Sequence, residues 1–170
     1  MRSRVALISA VALAIVLGAF VVVLATSKPS TTRLAETPLL GKQAPSLGGD
    51  VVAGEDRWTI VNIFATWCIP CVQEHDDLVA FSNNHAVTGD AEVVSVVFSD
   101  DREDVEAFFD ERGGDWPVIY DDDGRIATDW GVTGVPESYL VAPDGSVRAK
   151  IVGGIVLEKL EELLAEARGA

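Results

Sequence analysis

Sulfur and imidazole are scarce in this chain: its 170 residues include two cysteines, one methionine and two histidines. Two cysteines and one nearby histidine fall short of the four ligands of a structural zinc site. Basic side chains are few as well, with 13 Lys and Arg against 27 Asp and Glu and a formal net charge of −14. Every acidic residue lies beyond Arg33, where only 9 basic residues follow, a net −18 for that stretch. Such a stretch lacks the basic footprint that displaces counterions from nucleic acid, which argues against that partner class. It reads as a solubilising surface, or alternatively as an acidic rim that selects cationic partner segments. No internal repeat or low-complexity tract is present.

The first positive feature is a run of 21 almost unbroken apolar residues, Val5 to Ala25. At about 1.5 Å per residue it is long enough to cross the ~30 Å hydrocarbon core of a bilayer, and too long for an ordinary signal-peptide core. Val23-Leu24-Ala25 leaves cleavage before Thr26 as the competing reading. Arg2 and Arg4 precede the run and Lys28 and Arg33 follow it, so counting positive charges favours a cytoplasmic N-terminus only weakly. Ser27 to Pro38 has no periodic apolar pattern and reads as a tether of about 20 Å root-mean-square span. The expected organisation is an N-terminal transmembrane helix over 1–26, a tether over 27–37 and one domain over 38–170.

Both cysteines fall in Thr66-Trp67-Cys68-Ile69-Pro70-Cys71. A bond between Cys68 and Cys71 closes a ring so small that it removes only about 2 kcal/mol of denatured-state freedom. The pair is therefore a poor staple and a good redox switch. Upstream, Trp58 to Ala65 is a β-branched apolar run of strand length, as expected of a strand buried on both faces. Downstream, Val72, Leu78, Val79 and Phe81 share a helical face while Gln73, Asp76 and Asp77 are expected to meet water. Pro70 suits the first helical turn, which places Cys68 at or just before the helix N-terminus. Unpaired N–H groups and the macrodipole there favour an anion, and a thiol so placed has its pKa lowered from ~8.5 into a range of roughly 3.5–7.5. Cys71, one turn further on, is the expected buried resolving thiol.

Glu92 to Phe98 reads as a second buried strand, and Asp100 to Arg112 as an acid-capped helix ending at Gly113-Gly114. Ser138 to Val141 and Val147 to Val152 flank the hairpin signal Pro143-Asp144-Gly145-Ser146. Leu157 to Arg168 is an amphipathic helix with Leu157, Leu160, Leu163 and Leu164 on one face. Together these predict an α/β domain, a βαβ unit followed by a hairpin. His75 reads as a solvated helix residue rather than a third metal ligand, and His85 as a loop residue without chemistry. Asp121-Asp122-Asp123-Gly124 lacks the spaced ligands of a calcium loop and reads as a turn. Trp58, Trp116 and Trp130 read as packing residues.

Five stretches resemble the thioredoxin superfamily, and more narrowly its membrane-anchored cytochrome c biogenesis branch, the DsbE/CcmG and TlpA/ResA-like proteins. They are Pro38–Ser46 (PLLGKQAPS), Val61–His75 (VNIFATWCIPCVQEH), Ser99–Asp104 (SDDRED), Tyr120–Val147 and the pair Gly153-Gly154. The resemblance implies a thioredoxin-like fold, a central mixed sheet flanked by helices. It makes Pro136 a cis-proline facing the dithiol, with the Val135 backbone pairing with an extended substrate. Trp67 becomes a lid on the dithiol, and Trp67, Ile69, Pro70 and Val135 form the substrate-facing surface. Two departures stand out. Thioredoxins commonly carry a buried aspartate six residues before the first cysteine, where this chain has Asn62; the branch resemblance nominates Glu74 for proton transfer instead. Val72-Gln73 replaces the basic residue of many relatives, leaving the helix terminus as main stabiliser of a Cys68 thiolate.

The resemblance implies an extracytoplasmic thiol-disulfide oxidoreductase of the cell membrane that reduces disulfides of apocytochrome c or another protein. A transmembrane thiol carrier of the DsbD/CcdA type would return its electrons, and no cofactor or metal is expected. A folding oxidase that donates its disulfide to secreted chains is the alternative, and a copper-binding assembly factor a third. One sequence does not fix the direction of electron flow, since both redox roles use the same dithiol.

Overall fold

The structure is a computed structural model that describes residues 16–18 and 32–169. Most of the apolar run Val5 to Ala25, and the tether before Thr32, lie outside the described residues. No described helix is long and apolar enough to cross a membrane.

From residue 32 to 169 the described elements follow in the order β1 (Arg33–Leu34), β2 (Trp58–Phe64), α1 (Ile69–His85), β3 (Ala91–Val97), α2 (Arg102–Arg112), β4 (Val118–Tyr120), α3 (Arg125–Trp130), β5 (Glu137–Val141), β6 (Val147–Val152) and α4 (Leu157–Arg168). The six strands form one mixed sheet of order β1-β6-β5-β2-β3-β4. β2 runs parallel to β3, and β3 to β4, through crossover helices, whereas β5 is antiparallel to both β2 and β6. The thioredoxin-like arrangement expected from the sequence is therefore present.

Strand pleating distributes β2 to two cores. Ile60 joins Leu78 and Phe81 of α1, Leu140, Ile151, and Leu160 and Leu164 of α4 on one face. Val61 and Ile63 join Val94, Val96, Trp130, Tyr139 and Val147 on the other. Cover on both faces explains why β2 and β3 read as continuous apolar runs rather than alternating ones.

The structure adds to the sequence reading at four places. Arg33 and Leu34, expected within the tether, pair with Val152 and Ile151, so the sheet takes in chain before Pro38. The Asp121–Gly124 turn starts a helix: the Asp121 carboxylate accepts from the N–H groups of Ile126 and Ala127 at 3.0 and 2.8 Å, capping α3. β4 and α3 are too short to announce themselves by periodicity. His85, read as a loop residue, instead ends α1 and is buried, its ring nitrogens 2.9 Å from Asp90 and 3.2 Å from Glu161.

Phe81 is fully buried between α1, the sheet and α4. Phe81→Ala is expected to lower the unfolding free energy by about 3–5 kcal/mol. Urea denaturation of the oxidised protein measures this, and a loss well below the range would mean that the α1–α4 contact repacks.

Candidate active site

β2 ends at Phe64, and four residues later Cys68 caps α1 with φ −87° and ψ 105°. Its Sγ accepts from the Cys71 N–H at 3.3 Å, and Pro70 occupies the first turn, where its missing donor costs no helical hydrogen bond. Cys68 and Cys71 form a disulfide with their Cα atoms 5.2 Å apart. Both sulfur residues are buried, whereas the flanking Trp67 and Ile69 are 58% and 71% exposed. Thr66 and Trp67 are held from the loop that follows β3: the Thr66 N–H and hydroxyl both donate to Asp100 Oδ2, at 2.5 and 2.8 Å. The Trp67 indole N–H donates to the Ser99 carbonyl at 2.9 Å, an orientation reached with Ser99 at φ 49°. Asp100, read as part of an acid-capped helix, thus anchors the redox turn; Asp101 takes the cap position of α2 without a side-chain cap bond.

Facing this turn, the Val135–Pro136 bond is cis. Val135 packs against the cluster containing Cys68 and Cys71, and Val135, Pro136 and Pro70 line one groove with Gly134 and Gly153. The loop is pinned from below. Glu137, 1% exposed, accepts from the Thr133 N–H and hydroxyl and pairs with buried Lys150 at 2.8 Å, whose ammonium also donates to the Gly131 carbonyl. Mutual satisfaction is what permits such a pair inside the fold. Cys68, Cys71, Trp67, Ile69, Pro70, Val135 and Pro136 are thereby brought together.

Glu74 is 3% exposed, and both its oxygens are engaged. Oε1 accepts from Asn62 Nδ2 at 2.8 Å and Oε2 from the Ile155 N–H at 2.9 Å. Asn62 Nδ2 also donates to Ser138 Oγ at 3.1 Å. Among the described residues no hydrogen bond joins Glu74 to either cysteine. His75, expected in solvent, is buried: its Nε2 lies 2.9 Å from the Gly113 carbonyl, and its ring packs against Phe108, Phe109 and Trp116. Burial holds its pKa below the ordinary histidine value. Asp77, also expected in solvent, is half-buried and accepts from the Leu157 N–H. Among the described residues no group of three or more His, Cys, Asp and Glu is placed to hold a metal ion.

A family model described as Redoxin matches residues 49–164. The chain belongs to the Redoxin family. It is 35% identical over 144 residues to the thiol:disulfide interchange protein CycY of Rhizobium leguminosarum bv. viciae, covering 84% of this chain and 70% of that protein. To DsbE of Allochromatium vinosum it is 30% identical over 154 residues, covering 81% and 82%. A thioredoxin-family thiol:disulfide interchange protein of Chlorobium tepidum TLS shares the fold, with TM-score 0.65 at 23% identity over 78% of this chain and 99% of that one. The activity class of this Redoxin chain is therefore thiol-disulfide exchange.

Within this Redoxin fold, burial raises the Glu74 pKa to about 8, outweighing the Ile155 and Asn62 hydrogen bonds that favour the carboxylate; nearby Asp77 raises it further. The folded protein therefore keeps a proton that the unfolded chain releases from 4.5 upward. Stability contributed by protonated Glu74 is complete below that value and is lost as pH rises toward 8. Wild type is accordingly expected to lose stability relative to Glu74→Gln between pH 5 and pH 9. Urea midpoints at a series of pH values measure the difference, and parallel curves would show that Glu74 titrates normally.

Proposed function

We propose that this chain is a membrane-tethered, extracytoplasmic reductant of protein disulfides that serves cytochrome c maturation. The observation that carries the reading is the Cys68–Cys71 pair capping α1 beside the cis Val135–Pro136 groove. Val5 to Ala25 supplies the anchor by its length and apolarity, and relatives named CycY and DsbE support the redox role.

In the forward reaction the reduced Cys68 thiolate, stabilised by the helix N-terminus, attacks one sulfur of a partner disulfide. A mixed disulfide forms and one partner thiolate leaves. Cys71 loses its proton and attacks Cys68 Sγ, releasing the second partner thiolate and leaving the Cys68–Cys71 disulfide. Two electrons pass to the partner. Glu74 in its ionised form, populated as pH nears its raised pKa of about 8, takes the Cys71 proton. Trp67, Ile69, Pro70 and Val135 receive the partner chain, which in this role is apocytochrome c or another disulfide-bearing protein. Electrons return from a transmembrane thiol carrier of the DsbD/CcdA type. A copper-binding role is disfavoured because the His75 ring is buried among Phe108, Phe109 and Trp116.

Cys68→Ser is expected to abolish reduction of insulin disulfides, and Cys71→Ser to accumulate mixed disulfides; trapping by Cys68→Ser instead would exchange the two roles. Glu74→Gln should slow turnover by about 10–10³-fold while leaving the Cys68 alkylation rate nearly intact. Unchanged turnover from pH 5 to 9 would remove Glu74 from the mechanism. The reduction potential, read against a dithiothreitol series, should lie nearer about −270 mV than about −120 mV. A value above the isomerase range, about −180 mV, would make the protein a folding oxidase.

A further inference from the structure

The groove beside the dithiol takes one charged wall residue from outside the redox motif. Arg33 of β1 lines it together with Pro70, Val135, Pro136 and Gly153. Its backbone is held in place: Arg33 registers against Val152, Thr32 Oγ1 donates to the Gly154 carbonyl, and the Ala35 N–H donates to the Lys150 carbonyl at 2.9 Å. The other ionic side chain of this groove, Glu137, is buried and neutralised by Lys150. Among the described residues no carboxylate pairs with Arg33. The groove therefore presents a positive charge on a chain whose net charge is −14.

Strand order sets this charge against its surroundings. Arg33 stands on the β1-β6-β5 side of the Cys68–Cys71 turn. On the β3-β4 side, beyond Trp67, Asp101, Asp104 and Asp122 line the neighbouring depression. The groove wall on one side of the dithiol carries Arg33 and the depression on the other side is rich in aspartates, so a segment lying over the cis-proline groove meets a cation there.

We propose that Arg33 is a specificity-determining residue that selects partner segments carrying a carboxylate beside the cysteine presented to Cys68. This rests on the reading of the cis-proline groove as the bed of an extended, disulfide-bearing segment. Exposed ion pairs are individually weak, so Arg33 biases the choice among partners without being required for turnover. The bias must also fade with salt, because the pair is open to solvent.

The test uses the full-length chain, reduced and held in a non-ionic detergent. Its substrates are two disulfide-bonded peptides that differ only in a Glu or a Lys flanking the attacked cysteine. The ratio of kcat/KM for the Glu peptide to that for the Lys peptide is expected to fall by at least about fourfold in Arg33→Glu at low salt. Arg33→Lys should retain the wild-type ratio, and 0.5 M salt should bring wild type and Arg33→Glu together. Equal ratios in wild type and Arg33→Glu at low salt would overturn the assignment. If wild type reduces neither peptide, the reductase reading falls and takes this assignment with it. Thermal melting of each variant separates loss of fold from loss of selectivity.

Discussion

Everything at the active end of this molecule depends on β2 being buried on both faces between β3 and β5. A strand so enclosed has one register and no freedom to slip, because a shift of one residue would exchange its two apolar faces. Its C-terminal end therefore delivers Cys68 to one place, the cap of α1. The same pairing carries β5 alongside, with the cis Val135–Pro136 bond just before that strand. Thiol and groove are thus placed by one set of main-chain hydrogen bonds.

Polar side chains interrupt this apolar framework at few points, and Asn62, Glu74, Glu137 and Lys150 are each paired, whereas the buried Trp130 indole N–H finds no partner among the described residues. Asn62 is the single amide in the β2 run, and its one nitrogen serves both Glu74 and Ser138. Glu137 and Lys150 satisfy each other beneath the cis-proline loop. The framework therefore tolerates a carboxyl with a strongly raised pKa a few ångströms from chain that turns toward solvent. The cost of burying Glu74 is tied to its ionisation, and that links the protonation of the site to the stability of the whole domain.

Much of this was readable in the residues. The spacing of Cys68 and Cys71, the proline in the first turn and the run from Trp58 located the redox turn, and the hairpin and terminal helix followed from turn chemistry and periodicity. Apart from the short β4 and α3, what escaped has its signal in a partner brought up by the fold. Asn62 stands out as an amide in an apolar run, but its link to Glu74 requires the pleat of β2 to face α1. His75 and His85 look like solvated polar residues until Gly113, Asp90 and Glu161 are brought to them. Asp100 resembles a helix cap in sequence, and only the adjacency of β2 and β3 turns it toward Thr66.

Helix α1 is fastened along its length: His75 to the end of α2, Asp77 to the start of α4, and His85 to Asp90 and Glu161 at its far end. A rod pinned at three levels resists tilting or receding from the dithiol end. The conformational work of exchange consequently falls on the other chain, which must unfurl and thread its cystine into a fixed socket. Under the proposed reductant role, a client's own pliancy would add to any choice made by charge: an unfolded polypeptide would fit the socket more readily than the same disulfide locked within a finished domain.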